Sequence, residues 1–216
     1  MISKANLKLI RSLRQKKFRD MHGLFLVEGE KMVAELLRSS AGRRFGPRII
    51  FATEGWLDGH RSLVGGIAEV VEAGPEEIRK VSNLVTPQPV VALVGIPGPE
   101  DDQVTQLKGA ALGFEAIRDP GNLGTIIRTA DWFGIREIIC SPDSVDQYNP
   151  KVVQATMGSL FRTRVRYMEL EPLLEGINAG GGAVYGTCLD GENLYETDLE
   201  KDPLILFGNE SRGLSN

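Results

Sequence analysis

Two segments of the chain carry glycines, an amide and a charged side chain directly after an apolar stretch. The first, GFEAIRDPGNLGTIIRTADWFG, begins at Gly113, and the second, LILFGNESRGLS, begins at Leu204. Each segment predicts a strand that ends in a glycine-containing loop. Because ligands bind at the carboxyl ends of the strands in an open parallel sheet, the two loops are expected to lie together there. The two segments therefore make the chain an enzyme candidate.

The first segment is predicted to form a tight loop over 119–124 and then a helix over 124–133. Gly121 and Gly124 allow close approach of a ligand, and the helix offers free N–H groups to an anion. Asn122 is also common in turns for purely local reasons. Arg128 stands among apolar neighbours, where a buried or half-buried arginine needs a partner, and a structural ion pair or a solvent-facing side chain is the plainer alternative. A dinucleotide-binding loop is a rival interpretation, but the G-x-G-x-x-G spacing is missing.

Metal and nucleophile chemistry find little support in the sequence. His22 and His60 are the only histidines, and neither has a second metal-type ligand at useful spacing. Cys140 and Cys188 fall in or beside predicted strands and are expected to be buried free thiols in a reducing cytoplasm. No Ser/His/Asp or Cys/His grouping can be recognised.

Charge is distributed unevenly over the 216 residues, whose net charge is −4. Residues 1–50 hold twelve Lys and Arg against four Asp and Glu, whereas the rest of the chain is acidic. A basic leading segment favours contact with phosphates, although a solvated charged helix is the plainer alternative. No apolar run reaches the roughly 20 residues of a membrane span, and no signal peptide is evident, so a cytoplasmic protein is expected.

Alternating apolar and polar stretches predict two α/β domains, at 1–98 and 105–216, joined by a linker rich in proline and acidic residues. The first begins with a helix over 3–17 that Ser3 can cap. The second is predicted to be a parallel sheet. Its predicted strands are 110–117, 136–141, 164–167, 183–188 and 203–207, and its predicted helices are 124–133, 150–159 and 170–178.

The stretches NLGTIIRTA and FGNESRGLS resemble the first and second motifs of the SpoU/TrmH family of RNA ribose 2′-O-methyltransferases. The resemblance implies a parallel-sheet α/β domain with a trefoil knot, and S-adenosyl-L-methionine as methyl donor. It implies a catalytic set of Asn122, Arg128 and Glu210. Arg128 is expected to clamp the phosphate beside the target ribose, because a guanidinium stays protonated in proteins. The residues implied for donor binding are Gly208, Asn209, Thr187 and Leu189.

The N-terminal region carries a second, weaker resemblance, through FLVEG at Phe25 and the stretch from Ser82 to Pro89. It is similar to the substrate-binding domain that precedes the catalytic domain in rRNA-methylating members. The resemblance implies an RNA substrate, more often rRNA than tRNA, and a homodimer. The residues expected to contact RNA phosphates are Lys4, Lys8, Arg11, Arg14, Lys16, Lys17 and Arg19.

The family's third motif does not follow the second in this sequence, which ends at Asn216. We therefore expect a knot that is incomplete in this chain and a longer natural protein. A non-catalytic RNA-binding or assembly factor of the same fold is the main alternative function. An α/β enzyme that uses another nucleotide is a further one.

Overall fold

The computed structural model describes residues 1–39, 44–98, 107, 109–209 and 211–215. The chain divides into two compact units. The first unit comprises Met1–Gly98 and Asp146–Arg162, and the second comprises Pro99–Val145 and Thr163–Asn216. The domain bounds 1–98 and 105–216 stay a prediction, and the membership of 146–162 in the first unit is a feature that the sequence did not reveal.

Helices and strands alternate along the chain. In chain order the elements are α1 (Lys4–Ser12), α2 (Lys16–His22), β1 (Leu24–Glu28), α3 (Glu30–Arg38), β2 (Pro47–Ala52), α4 (Glu54–Val64), β3 (Glu69–Glu72), α5 (Pro75–Val81), β4 (Val90–Gly95), β5 (Ala111–Phe114), α6 (Pro120–Trp132), β6 (Glu137–Cys140), α7 (Pro150–Thr156), β7 (Arg164–Tyr167), α8 (Leu170–Ala179), β8 (Val184–Gly186) and β9 (Leu204–Phe207). Short 3₁₀ helices span Ser159–Phe161 and Leu194–Glu196. None of the described helices is long and apolar enough to cross a membrane.

The first unit is built on a four-stranded mixed sheet with the order β1-β4-β2-β3. The β1 and β2 strands both pair antiparallel with β4, and β3 pairs parallel with β2. Every residue of β4 is buried, as expected for a strand that is covered on both faces. Ile10 and Leu13 pack with Ile78 of α5 against the sheet. Burial of each such side chain contributes about 1.5–3 kcal/mol to stability.

Aromatic contacts attach the segment 146–162 to the first unit. The ring of Tyr148 lies 4.7 Å from that of Phe25, and the ring of Phe161 meets Phe45 edge-on at 5.4 Å. The helix α7 is therefore held by core side chains of the sheet that the N-terminal residues form.

The second unit contains a five-stranded sheet in the order β7-β6-β5-β9-β8. All of its neighbouring strands are parallel, which confirms the predicted parallel α/β class. From the central β5 the chain continues outward to β6 and β7. The next two strands lie on the other side of β5, with β8 at the edge and β9 between β8 and β5. The strand order thus reverses beside β5, and ligands of open α/β sheets bind at the carboxyl ends of the strands at such a point.

The N-terminal helix predicted over 3–17 is interrupted. Ser3 caps α1 as expected, since its hydroxyl accepts the N–H of Asn6 at 3.1 Å. The helix ends at Ser12, however, because the Arg19 guanidinium donates hydrogen bonds to the carbonyl of Leu13 at 2.8 Å and to that of Arg14 at 3.1 Å. These bonds satisfy carbonyls at the break between α1 and α2.

Candidate active site

The two motif segments follow neighbouring strands. Phe114, the last residue of β5, is in register with Phe207 of β9 on one side and with Cys140 of β6 on the other. The Phe114 and Phe207 rings stack at 5.1 Å and 11°. The predicted meeting of the two loops at one sheet edge is therefore what the structure shows.

A hydrogen bond joins the two loops directly. The Asn209 side-chain amide donates to the carbonyl of Ala116 at 3.1 Å, and its oxygen accepts the N–H of Ser211 at 3.0 Å. Asn209, which we predicted to bind the donor, therefore links the segment after β9 to the segment after β5. Near the end of the second segment, the N–H of Ser215 donates to the Glu115 carboxylate at 2.9 Å.

Ser141, the residue after β6, holds the same position from the other side, and no local pattern predicts this role. Its buried hydroxyl accepts the N–H of Ala116 at 2.7 Å and lies 2.6 Å from a carboxylate oxygen of Asp143. Ala116 has a φ of 52°, which is uncommon for a residue other than glycine. Polar side chains from beyond β6 and β9 thus hold a strained residue that follows β5.

The second motif loop is tightly closed. Asn209 and Gly213 exchange two backbone hydrogen bonds of 2.9 Å. A Cβ atom on Gly208 would lie 2.1 Å from the carbonyl carbon of Gly213 and 2.2 Å from the nitrogen of Leu214. Gly208, predicted to touch the donor, must therefore also be a glycine because the backbone of Gly213 and Leu214 lies too close for a side chain.

The segment 119–124 is not a loop, which corrects our prediction. The Asp119 carboxylate caps α6 by accepting the N–H of Asn122 at 2.8 Å, and Pro120 occupies the first helical turn. Proline is favoured there because its missing N–H would be unsatisfied in any case. Asn122 consequently lies in the exposed first turn of a helix that begins just beyond the end of β5.

Arg128 is exposed, as in the solvent-facing alternative. It comes six residues after Asn122 on α6, a separation of roughly 9 Å along the helix axis and about 240° around it. The two side chains therefore leave the helix in different directions. The third predicted catalytic residue, Glu210, lies outside the described residues.

The end of β8 adjoins the second motif. The Thr187 hydroxyl donates to the carbonyl of Leu206 at 3.1 Å, and a Cβ atom on Gly186 would lie 2.9 Å from the side chain of Leu214. Leu189, two residues further on, is fully exposed at 103 %. The strand predicted over 183–188 is shorter than expected, so Thr187 and Leu189 lie in the segment that follows it.

Comparison with known proteins agrees with this arrangement. The SpoU rRNA Methylase family matches residues 110–216, and the MRM3-like substrate binding domain matches residues 4–92. The 23S rRNA (guanosine(2553)-2′-O)-methyltransferase RlmP of Bacillus subtilis is 31% identical over 205 residues, which cover 94% of this chain and 79% of the relative. The chain belongs to the SpoU rRNA methylase family.

Solved structures of SpoU methylase relatives share the whole fold. A TrmH-family RNA methyltransferase structure from Porphyromonas gingivalis superimposes with a TM-score of 0.85 at 36% identity, covering 100% of this chain and 84% of the other. An AdoMet-bound rRNA methyltransferase from Sinorhizobium meliloti gives 0.83 at 32% identity, with coverages of 100% and 82%. The predicted enzyme class, an RNA methyltransferase, is thereby confirmed.

Basic side chains of the SpoU methylase line its N-terminal helices. Lys4, Lys8 and Arg11 are exposed and recur at spacings that place them on one face of α1. Arg14 is exposed as well and donates to the side-chain oxygen of Asn83 at 2.6 Å. The remaining members of the predicted set on α2 are Lys16, which pairs with Asp20 at 2.7 Å, and the exposed Lys17.

Arg19 does not belong to this basic surface, which corrects the prediction made for it. Its side chain is only 2% exposed and contacts the Asp146 carboxylate at 2.5 Å and 3.0 Å. A buried cation requires such a partner, because desolvation of an unpaired charge is costly. Arg19 therefore stabilises the first unit instead of meeting phosphates.

The two cysteines of the SpoU methylase differ, whereas we had expected both to be buried. Burial raises the pKa of the Cys140 thiol to about 12, and Cys188 is exposed. We expect iodoacetamide at pH of about 8 to alkylate Cys188 and to leave Cys140 unmodified in the native protein, because the thiolate is the reactive form. Peptide mass spectrometry before and after denaturation measures this difference, and native labelling of Cys140 as fast as Cys188 would contradict it.

Proposed function

We propose that this SpoU methylase transfers a methyl group from S-adenosylmethionine to a ribose 2′-hydroxyl of ribosomal RNA. The observation that carries the proposal is the hydrogen bond from Asn209 to Ala116, which joins the second family motif to the segment that leads from β5 to the first motif. A site at this sheet edge lies where the strand order reverses and where α6 begins.

The residues beyond β8 and β9 fit an adenosyl donor in their chemistry. The exposed Leu189 offers apolar surface to a purine ring, and Thr187 and Asn209 add polar groups after β8 and β9. Because neither Gly186 nor Gly208 has a side chain, the Leu214 side chain can pack close to Gly186, and the backbone of the motif loop can pack close to Gly208. When bound, S-adenosylmethionine would supply an electrophilic methyl group: an O–CH3 bond would form at the ribose 2′ oxygen, the S–CH3 bond would break to leave neutral S-adenosylhomocysteine, and the hydroxyl proton would pass to water.

The proposed catalytic residues bind and orient the target ribose. Arg128 clamps the phosphate next to the target nucleotide through its planar guanidinium, and this contact orients the 2′-hydroxyl. Asn122 binds the nucleotide at the exposed first turn of α6, where the helix dipole favours a negative group. Glu210 completes the catalytic set in this proposal.

Ribosomal RNA is favoured as the substrate by the N-terminal unit. Residues 4–92 match a substrate binding domain, and the exposed Lys4, Lys8 and Arg11 form a basic face on α1. The similar RlmP of Bacillus subtilis is named as a 23S rRNA 2′-O-methyltransferase. We further propose a cytoplasmic homodimer, whose oligomeric state sedimentation velocity measures.

Arg128→Ala is expected to lower kcat/KM for RNA methylation by about 10²-fold, because the phosphate clamp that orients the reacting 2′-hydroxyl is lost. The affinity for S-adenosylhomocysteine is expected to stay unchanged, since the clamp acts on RNA. The measurement combines transfer of labelled methyl groups into rRNA that lacks the modification with calorimetric titration of S-adenosylhomocysteine.

The matched control is Arg136→Ala. Arg136 precedes β6 at the opposite edge of the sheet, and its 57% exposed side chain pairs with the 12% exposed Asp131 at 2.9 Å, so its loss is expected to lower stability by about 1 kcal/mol. Its rate is expected to resemble that of the native protein. Equal rates for Arg128→Ala and Arg136→Ala would remove Arg128 from the site.

A further inference from the structure

A groove runs across the first unit and is lined by residues of that unit. It consists of two adjoining cavities of about 370 Å³ and about 530 Å³, which share Glu28, Leu84, Gln154 and Met157 in their walls. Ligand sites commonly have volumes of roughly 300–1,000 Å³. We name this feature the α7 groove, after the helix that supplies Gln154 and precedes Met157.

One wall of the α7 groove is rigid. The Glu28 carboxylate is 5% exposed and accepts hydrogen bonds from the Ser82 hydroxyl at 2.6 Å, from the Asn83 N–H at 2.9 Å and 3.0 Å, and from the Asn83 side-chain amide at 2.8 Å. These donors balance its charge and fix the start of the segment that follows α5. Glu28 therefore shapes the groove.

The rest of the lining combines apolar surface with hydrogen-bonding groups. Val85 is fully exposed at 103% and Met157 is 49% exposed, although both are apolar. Gln88 and Gln154 are half-buried beside them, and their amides can both donate and accept. Such a surface can pack against the flat face of a nucleobase and read its edge.

Charged side chains stand at the rim. Lys31 and Lys151 are exposed there and suit phosphates, while the exposed Glu30 can accept from a base amino group. The groove also connects to the basic helices, because Asn83 in its wall accepts the hydrogen bond of Arg14 at 2.6 Å. A strand of RNA that follows the basic face of α1 thus reaches the groove through this pair.

We propose that the α7 groove binds one unpaired nucleotide of the RNA substrate, with its base against Met157 and Val85 and its edge on Gln154. The proposal rests on the proposed RNA methyltransferase function and adds a second RNA contact, separate from the site of methyl transfer. Sequence-specific recognition of RNA usually targets unpaired bases, because paired bases hide their edges in a narrow groove.

Two substitutions test the groove without disturbing the fold. Gln154→Leu keeps the size of a half-buried helical side chain and removes its hydrogen bonds. Met157→Gly removes apolar lining at a position whose φ of 51° suits glycine. Lys151→Ala removes one rim charge, and Lys201→Ala is its charge-matched control, because Lys201 precedes β9 at the amino edge of the other sheet.

Fluorescence anisotropy measures binding of two labelled RNAs, a hairpin with an unpaired loop and a blunt duplex of the same stem. Gln154→Leu and Met157→Gly are each expected to weaken hairpin binding about 3- to 10-fold and to leave duplex binding and salt dependence unchanged. Lys151→Ala is expected to reduce the slope of log affinity against log salt by about 0.7, and Lys201→Ala is expected to leave it unchanged.

Native hairpin preference in both Gln154→Leu and Met157→Gly would overturn the groove proposal, as would equal losses on hairpin and duplex. If the native protein methylates RNA while these variants bind as it does, the groove proposal alone fails. If the native protein neither binds nor methylates any RNA, the proposed function itself fails. If the groove binds a peptide instead, both variants would keep the native preference for the hairpin.

Discussion

Gly208→Ala is expected to lower RNA methylation by about 10²-fold or more, since small displacements of positioning groups have effects of that size. The new methyl group would stand 2.1 Å from the carbonyl carbon of Gly213. The loop between Asn209 and Gly213 therefore has to open, and its two 2.9 Å backbone hydrogen bonds are lost. Because Asn209 also bonds to Ala116, the disturbance reaches the segment between β5 and α6.

Calorimetric titration of S-adenosylmethionine and a methyl-transfer assay measure this effect, and we expect both donor affinity and rate to fall. Gly176→Ala is the control in the same unit. Gly176 lies in α8, and no atom approaches within 4 Å of the Cβ that alanine would add, so stability is expected to rise by about 0.4–1 kcal/mol. Native activity in Gly208→Ala would show that the closed loop does not position the site.

Arg19→Ala is expected to lower the free energy of unfolding by about 3–5 kcal/mol, because it leaves the Asp146 carboxylate without its cation in a largely buried place. The carbonyls of Leu13 and Arg14 lose their donor at the same time. Urea denaturation followed by circular dichroism measures the change.

Lys16→Ala on the same helix provides the comparison. The Lys16 and Asp20 side chains are 65% and 56% exposed, so loss of this pair is expected to change stability by about 0.2–1 kcal/mol. An equally small effect for Arg19→Ala would contradict the structural role of Arg19 and return it to the RNA-binding surface.

Strand positions in the second unit could be predicted from sequence, since apolar runs bounded by loops are local signals. The predicted strands at 110–117, 136–141, 164–167 and 203–207 contain β5, β6, β7 and β9. The placement of the two motif loops at one edge followed from the general behaviour of parallel sheets. The trefoil knot stays a prediction.

The start of α6 could have been predicted but was placed four residues too late. Asp119 followed by Pro120 is a helix-start signal, whereas Gly121 and Asn122 suggested a turn. The hydrogen bond from the Asn122 N–H to the Asp119 carboxylate caps the helix at this point, so these residues form its first turn. This difference matters for function, because it moves Asn122 from a loop to a helix amino terminus.

Three further features depend on contacts between residues far apart in sequence, and local patterns do not carry them. Arg19 belonged to a basic run, and only its pairing with Asp146, 127 residues later, makes it a core residue. Ser141 is 25 residues from Ala116, whose N–H it accepts. The attachment of α7 to the first unit depends on Phe25 and Tyr148.

The central claim is that a SpoU methylase with this site modifies a ribose. Incubation of unmodified rRNA with the protein and methyl-labelled S-adenosylmethionine, followed by digestion to nucleosides and mass spectrometry, tests it most directly. We expect the label in one 2′-O-methylnucleoside, lost in Arg128→Ala and retained in Arg136→Ala. Label on a base instead of the ribose, or no label in any RNA, would contradict the account.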